Sequence, residues 1–183
     1  MSATVPLHRV NVLTGIKSAR QIEDAAEYGK LIKKAKRPLL VLGPLLVKGS
    51  LDGRLLMEYA FEIAKSASIP ICATAHVKGK MIEAGVKPDS EYDVVEIINA
   101  LKDPDWIGVK KEGNHDLVIF FGIRSDFAEQ GLSVLKHFAP HLKTMTLCKF
   151  YFPNADYSLP NIRKDEQWKE FLETLISDLK GKE

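Results

Sequence analysis

The chain has 183 residues, 45% of them hydrophobic and 27% charged, the balance of an ordinary globular protein, which excludes disorder and collagen-like structure. Its 26 basic and 24 acidic residues leave +2, too little to imply nucleic acid. No apolar run approaches the ~20 residues of a membrane helix, and the first ten residues lack the apolar centre of a secretory signal, so a cytoplasmic location is expected.

Charge is uneven, with 9 basic and 3 acidic side chains in residues 1–50. Much of the excess is Lys30, Lys33, Lys34, Lys36 and Arg37, which suit the negative end of a helix. That helix is expected over 18–34, capped by Ser18, with Ile22, Ala26, Gly29 and Ile32 on one face. Pro38 introduces the apolar strand Leu39-Leu40-Val41-Leu42, which stops at Gly43-Pro44. A helix over 52–66 buries Leu56, Ala60, Ile63 and Ala64, and the strand Ile69-Pro70-Ile71-Cys72-Ala73-Thr74 follows. Gly79, Gly85 and Pro88 mark 75–92 as loop. A helix over 93–101 is stopped by Asp103-Pro104-Asp105. The unbroken run Leu117-Val118-Ile119-Phe120-Phe121 makes 116–121 a strand, and Asp126 with Glu129 reads as a capping box opening a helix to Phe138. A strand over 144–148, an aromatic loop over 150–161 and a helix over 165–179 complete the chain. The last helix carries its stripe at Trp168, Phe171, Leu172, Leu175, Ile176 and Leu179.

Strands apolar on both faces belong to parallel sheets covered by helices. The expected fold is therefore α/β, a doubly wound parallel sheet flanked by helices, with 1–183 as one domain. Ligands of such sheets bind outside the carboxyl ends of the strands, which selects the loops at 43–50, 74–81, 122–126 and 149–154. In the first, Gly43-Pro44-Leu45-Leu46 is neither a dinucleotide nor a Walker sequence, and the favoured role of Gly43 is a tight turn. In the second, His76 with Lys78-Gly79-Lys80 can contact phosphate, although a solvated basic turn is the commoner arrangement. In the third, Gly122 permits close approach, Arg124 offers a planar fork and a helix start favours negative charge, which together describe an anion pocket. Pairing of Arg124 with a nearby carboxylate is an equal alternative, and Asp126 reads as a helix cap.

Catalytic and metal chemistry is thin. His137 and His141 have the spacing of helical metal ligands, but Pro140 between them ends the helix. His8 and His115 read as loop residues. Cys72 and Cys148 sit in apolar runs as small buried groups, and with no CxxC the chain does not hold an iron–sulfur cluster alone. No catalytic residue or metal ligand is assigned.

The segment Asp116-Leu117-Val118-Ile119-Phe120-Phe121-Gly122-Ile123-Arg124-Ser125-Asp126 resembles the strand–glycine–arginine turn in the central domain of thiamine-diphosphate enzymes, a deoxyhypusine-synthase-like NAD/FAD-binding domain. Ile69-Pro70-Ile71-Cys72-Ala73-Thr74 with Lys78-Gly79-Lys80, and Arg37-Pro38-Leu39-Leu40-Val41-Leu42-Gly43, are similar to other strands of that domain. In its flavin-dependent members the turn helps to bind the ADP part of FAD. The resemblance therefore implies Gly43, Gly79, Gly122, Arg124 and Asp126 as cofactor-binding residues. The loop after the first strand departs from those enzymes in lacking their extra small residues.

Over nearly the whole chain, the length, the N-terminal helix, the first strand and the loop Phe152-Pro153-Asn154-Ala155-Asp156-Tyr157-Ser158-Leu159-Pro160-Asn161 resemble the epsilon-subunit family of archaeal acetyl-CoA decarbonylase/synthase. That resemblance implies an accessory, non-catalytic subunit. Its partner is an alpha subunit carrying the nickel–iron–sulfur clusters, in an α2ε2 carbon monoxide dehydrogenase component. The implied role is to stabilise alpha and assist electron transfer to FAD, with a homodimer as one state of the isolated chain. The alternative is a free-standing FAD/dinucleotide-binding electron-transfer module. Among the aromatics of the last loop, Tyr157 is the expected partner contact, while Phe150 and Phe152 are expected to pack on the core.

Overall fold

Short apolar runs alternating with amphipathic segments build a parallel sheet wrapped by helices. The computed structural model describes residues 17–181, so His8 lies outside the described residues. The described part opens with β1 (Arg20–Gln21), α1 (Ala25–Lys34), β2 (Pro38–Leu42) and a short 3-10 turn at Pro44–Leu46. A hairpin of β3 (Ser50–Leu51) and β4 (Arg54–Leu55) leads into α2 (Leu56–Ala67), β5 (Ile71–Ala73), α3 (Ala75–Glu83) and β6 (Ser90–Glu91). Then come α4 (Val94–Lys102), β7 (Leu117–Phe121), α5 (Ser125–Phe138), β8 (Lys143–Thr146), β9 (Tyr157–Ser158) and α6 (Asp165–Lys180). Among the described residues no helix is long and apolar enough to cross a membrane.

Among the described residues the main sheet has seven strands in the order β1-β9-β8-β7-β2-β5-β6, all pairs parallel. This is the expected doubly wound α/β sheet. Successive strand side chains point to opposite faces, so β2 and β7 serve two cores at once. Leu40, Leu42, Ile119 and Phe121 join Tyr28, Ile63 and Leu172 from α1, α2 and α6. Leu39, Val41, Val118 and Phe120 join Ile97, Leu132 and Leu135 from α4 and α5. Each such side chain contributes about 1.5–3 kcal/mol on full burial.

Several elements differ from the sequence reading. The N-terminal helix expected over 18–34 starts at Ala25, capped by the Asp24 carboxylate, which accepts the Ala26 N–H at 2.9 Å. Ser18 is not its cap. Arg20 and Gln21 instead form an edge strand, where the Arg20 N–H donates to Asp156 O at 2.8 Å and the Ile22 N–H to Ser158 O at 3.1 Å. Sheet pairing with residues far along the chain overrides the local helical pattern.

The helix expected from residue 52 begins at Leu56, because Asp52 (φ 51°) and Gly53 (φ 80°) make the two-residue turn of the β3–β4 hairpin. The loop expected at 75–92 contains α3, where Val77 and Met81, four apart, are buried and outweigh the helix-weakening Gly79. Gly85 at φ 74° turns the chain out of that helix. The C-terminal helix runs one residue past the expected end at 179.

The capping box expected at Asp126 and Glu129 is absent, because α5 starts two residues earlier than such a box requires, at Ser125 with Arg124 at the N-cap position. The reciprocal bonds of such a box occur at α4, where Glu96 Oε2 accepts the Asp93 N–H at 2.9 Å.

Candidate functional site

The chain leaves β2 toward β5 and β6, then returns across it to β7. The order therefore reverses between β2 and β7, and the crevice at their carboxyl ends is where ligands of this architecture lie. Gly43 and Gly122 stand on its two sides, both buried, but they meet each other. The Gly43 N–H donates to Phe121 O at 2.8 Å and the Leu45 N–H to Gly122 O at 2.9 Å. A Cβ on Gly43 would fall on the Gly122 carbonyl and the Ile123 nitrogen. Gly122 has φ 74°, and a Cβ there would lie 2.7 Å from Leu46 Cδ2 and 3.1 Å from Leu46 N. Both glycines are required by contact between the two turns.

Beside this closed crevice a cleft of about 620 Å³ is lined by the starts of three helices: Ala75 and His76 of α3, Val94, Val95 and Glu96 of α4, and Arg124 and Phe127 at α5. A helix start carries amide N–H groups without partners in its own helix and a partial positive charge. Two of the starts are answered by their own carboxylates, Asp93 with Glu96 at α4 and Asp126 at α5. At α3 there is no acidic residue in the first turn, and the Thr74 hydroxyl donates to Leu42 O at 3.0 Å instead of capping.

Arg124 is exposed and forms a two-point pair with Asp126, Nε to Oδ1 at 3.2 Å and Nη2 to Oδ2 at 2.8 Å. Its guanidinium also lies 5.5 Å from the centre of the Phe127 ring. The carboxylate pairing expected as one reading of Arg124 is present. Burial pushes the Asp126 carboxyl up, but the Arg124 hydrogen bond and charge and the Phe127 amide together hold it below the usual range. Gly79 is exposed on α3, with no atom within 4 Å of a Cβ placed there, and is not part of the cleft lining. Of the five implied residues, then, Gly43 and Gly122 face each other, Arg124 binds Asp126, and Gly79 stands apart.

His141 lies beyond the end of α5, its Nε2 3.1 Å from Leu101 O and 3.2 Å from Asn114 Nδ2. His137 and His141 are thus not a pair on one helix, in keeping with Pro140. Among the described residues, no three His, Cys, Asp or Glu side chains are grouped to hold a metal ion. Burial pushes the thiols of Cys72 and Cys148 up to about 11, so both behave as small apolar groups.

Sequence reasoning missed a cluster that explains the loop from Phe152 to Asn161. Asn154 Nδ2 donates to Glu129 Oε2 at 2.6 Å, and the Asn161 side chain accepts the Tyr151 N–H at 2.9 Å. The Ser158 hydroxyl accepts the Phe152 N–H at 2.9 Å, and Asp156 Oδ2 accepts the Thr144 N–H at 2.9 Å. Lys136 Nζ donates to Lys17 O at 2.8 Å and Ala155 O at 2.7 Å, tying the incoming chain to the same loop. These polar residues fold the loop onto α5 and β8. Tyr157, expected as a partner contact, is half-buried in β9 and packs against the core that α1, α2 and α6 share with the sheet. Phe152 is buried as expected, whereas Phe150, expected inside, is 55% exposed. The only trace of this cluster in the sequence is the spacing of Glu129 and Lys136, two turns apart on one face of α5.

Glu129 Oε1 is buried without a partner, and burial raises the Glu129 carboxyl against the opposing pull of Asn154 and the Lys136 charge. A carboxyl raised on folding contributes stability at low pH that is lost as pH rises through its folded value. Glu129→Gln is therefore expected to melt above the wild type at about pH 8, with the gain closing by about pH 4. An equal difference across thermal melts at both values would contradict this.

The parallel sheet flanked by helices defines a doubly wound α/β protein. The family profile described as CO dehydrogenase beta subunit/acetyl-CoA synthase epsilon subunit matches residues 2–176. Over 148 residues the chain is 45% identical to the acetyl-CoA decarbonylase/synthase complex subunit epsilon of Methanothermobacter thermautotrophicus, covering 81% of this chain and 82% of that one. It is 39% identical over 151 residues to subunit epsilon 1 of Archaeoglobus fulgidus, covering 81% and 79% of the two chains. With subunit epsilon 1 of Methanosarcina barkeri the identity is 33% over 166 residues, covering 90% and 92%. The chain belongs to the family of acetyl-CoA synthase epsilon subunits. A solved putative thiamin diphosphate-dependent enzyme from Mycobacterium smegmatis is 15% identical with a TM-score of 0.46, covering 85% of this chain and 28% of that one.

Proposed function

We propose that the chain is an accessory, non-catalytic subunit of an α2ε2 carbon monoxide dehydrogenase component. In this reading it docks on the alpha subunit that carries the nickel–iron–sulfur clusters and stabilises it. Family membership supports the subunit role, and the observation that carries the docking is the apolar wall of the cleft. Val95 is 59% and Phe127 45% exposed there, beside Val94, Ile123 and Pro44. Leu45 and Phe150, also exposed, lie in the turns after β2 and β8, at the same carboxyl end of the sheet. Large apolar side chains gathered at one end of a subunit mark a contact surface, and aromatic anchors carry most of the energy of such contacts.

The test is co-purification of alpha with the double variant Val95→Asp/Phe127→Asp. Association is expected to weaken about tenfold or more, while the melting temperature of the isolated chain stays within a degree or two, because both side chains are already in solvent. Unchanged association would move the interface elsewhere.

A further inference from the structure

FAD is the cofactor implied by the fold resemblance, and its fit is decided by the turn after β2. In dinucleotide-binding sheets the pyrophosphate lies on that turn, held by free backbone amides and by the helix that follows. Here every position from Gly43 to Val47 is committed. The Gly43 amide bonds Phe121 O, Pro44 has no N–H, the Leu45 amide bonds Gly122 O and the Leu46 amide bonds Gly43 O at 3.2 Å. The Val47 amide closes back on Pro44 O at 3.2 Å and the Gly49 amide on Leu45 O at 3.1 Å. No long helix starts at this point, because the 3-10 turn ends at Leu46 and the hairpin intervenes before α2. The Leu46 side chain, fully buried, lies against the Gly122 backbone, where a ligand would need to approach.

The neighbouring cleft does not replace what the turn lacks. A pyrophosphate placed there would face the carboxylates of Asp93 and Glu96, while the guanidinium in the lining, Arg124, is already bound to Asp126. We infer that the described residues hold no dinucleotide seat: Leu46 and the backbone of the β2 turn fill the switch-point crevice, and the chain takes no FAD on its own. The two glycines that resemble a cofactor cradle serve instead as the contact surface of two turns. This inference is independent of the docking reading, since a chain without flavin can bind alpha or fail to bind it.

The full-length chain should be titrated with FAD, and separately with ADP, following flavin fluorescence and the melting temperature. A ligand that binds only the folded state raises the melting temperature as its concentration exceeds its dissociation constant. The expected result at millimolar ligand is no saturable signal and no shift. Saturable binding of either compound to the wild type overturns the inference, wherever on the chain it occurs.

A second measurement needs no ligand. Gly122→Ala is expected to lower the melting temperature of the flavin-free protein, and to lower it less in a Leu46→Ala background, where the crowding atoms are gone. Equal losses in both backgrounds, or none in either, would show that Leu46 does not fill the crevice. Should Gly122→Ala fail to fold, the wild-type titration decides alone.

Discussion

Gly43→Ala is expected to leave little folded protein. The backbone at Gly43 has φ −104°, which any residue adopts, so conformational freedom is not the reason. The added methyl would land on main-chain atoms of Gly122 and Ile123, and no rotamer change can move those away. Relief requires the turns after β2 and β7 to separate, which breaks the bonds from Gly43 to Phe121 and from Leu45 to Gly122 and unseats the buried Leu46. Overpacking costs about 1–3 kcal/mol where side chains can yield. With backbone on both sides the cost lies at or beyond the top of that range, a large part of the roughly 5–15 kcal/mol that holds a typical domain. Gly79→Ala is the control, since its methyl would meet nothing within 4 Å on an ordinary helical backbone. It is expected to gain about 0.5–1 kcal/mol from helix propensity. Chemical denaturation of the two variants should give changes of opposite sign, and a Gly43→Ala protein as stable as the wild type would refute the contact.

Trp168→Ala is expected to cost about 3–5 kcal/mol. The indole is 7% exposed, donates Nε1–H to Leu147 O at 2.9 Å and meets Phe121 edge to face at 6.2 Å. It thereby fastens α6 to the carboxyl ends of β7 and β8, while Phe171, three residues on, meets the Tyr28 ring of α1 edge to face at 5.2 Å. Truncation removes the apolar contact and also deprives a buried carbonyl of a donor. Trp168→Phe should restore much of the packing and leave the carbonyl unserved, at a cost of about 1–2 kcal/mol. Urea denaturation with an unchanged slope would assign both losses to the folded state. A loss below about 1 kcal/mol for Trp168→Ala would mean that α6 is held by other contacts.

The α6 stripe and the β7 run were legible in the sequence because both depend on patterns confined to neighbouring residues. Trp168, Leu172, Leu175 and Leu179 repeat at helical spacing, and five bulky residues from Leu117 to Phe121 leave no polar face for a half-exposed strand. Where a segment takes its structure from a distant partner, the same patterns misled. Residues 20–21 pair with β9 across the length of the chain, and 157–158 pair with both β8 and β1. Two-residue strands have no period to read. In α3 the Gly79 signal was real, but burial of Val77 and Met81 outweighed it.

The candidate site shows the same division. That glycines stand at Gly43 and Gly122, each ending an apolar strand, is a property of the sequence, as is the position of Arg124 before a helix. The sequence also determined the alternation of strand and helix, the absence of a CxxC motif and the family to which the chain belongs. Only the tertiary structure decided what the glycines touch. A glycine admits close approach by any neighbour, and its identity does not say whether that neighbour is a phosphate or another turn. Here the order β7-β2-β5 sets the two strand ends side by side, so that carbonyls at the end of β7 take up amides of the β2 turn and Leu46 packs against Gly122.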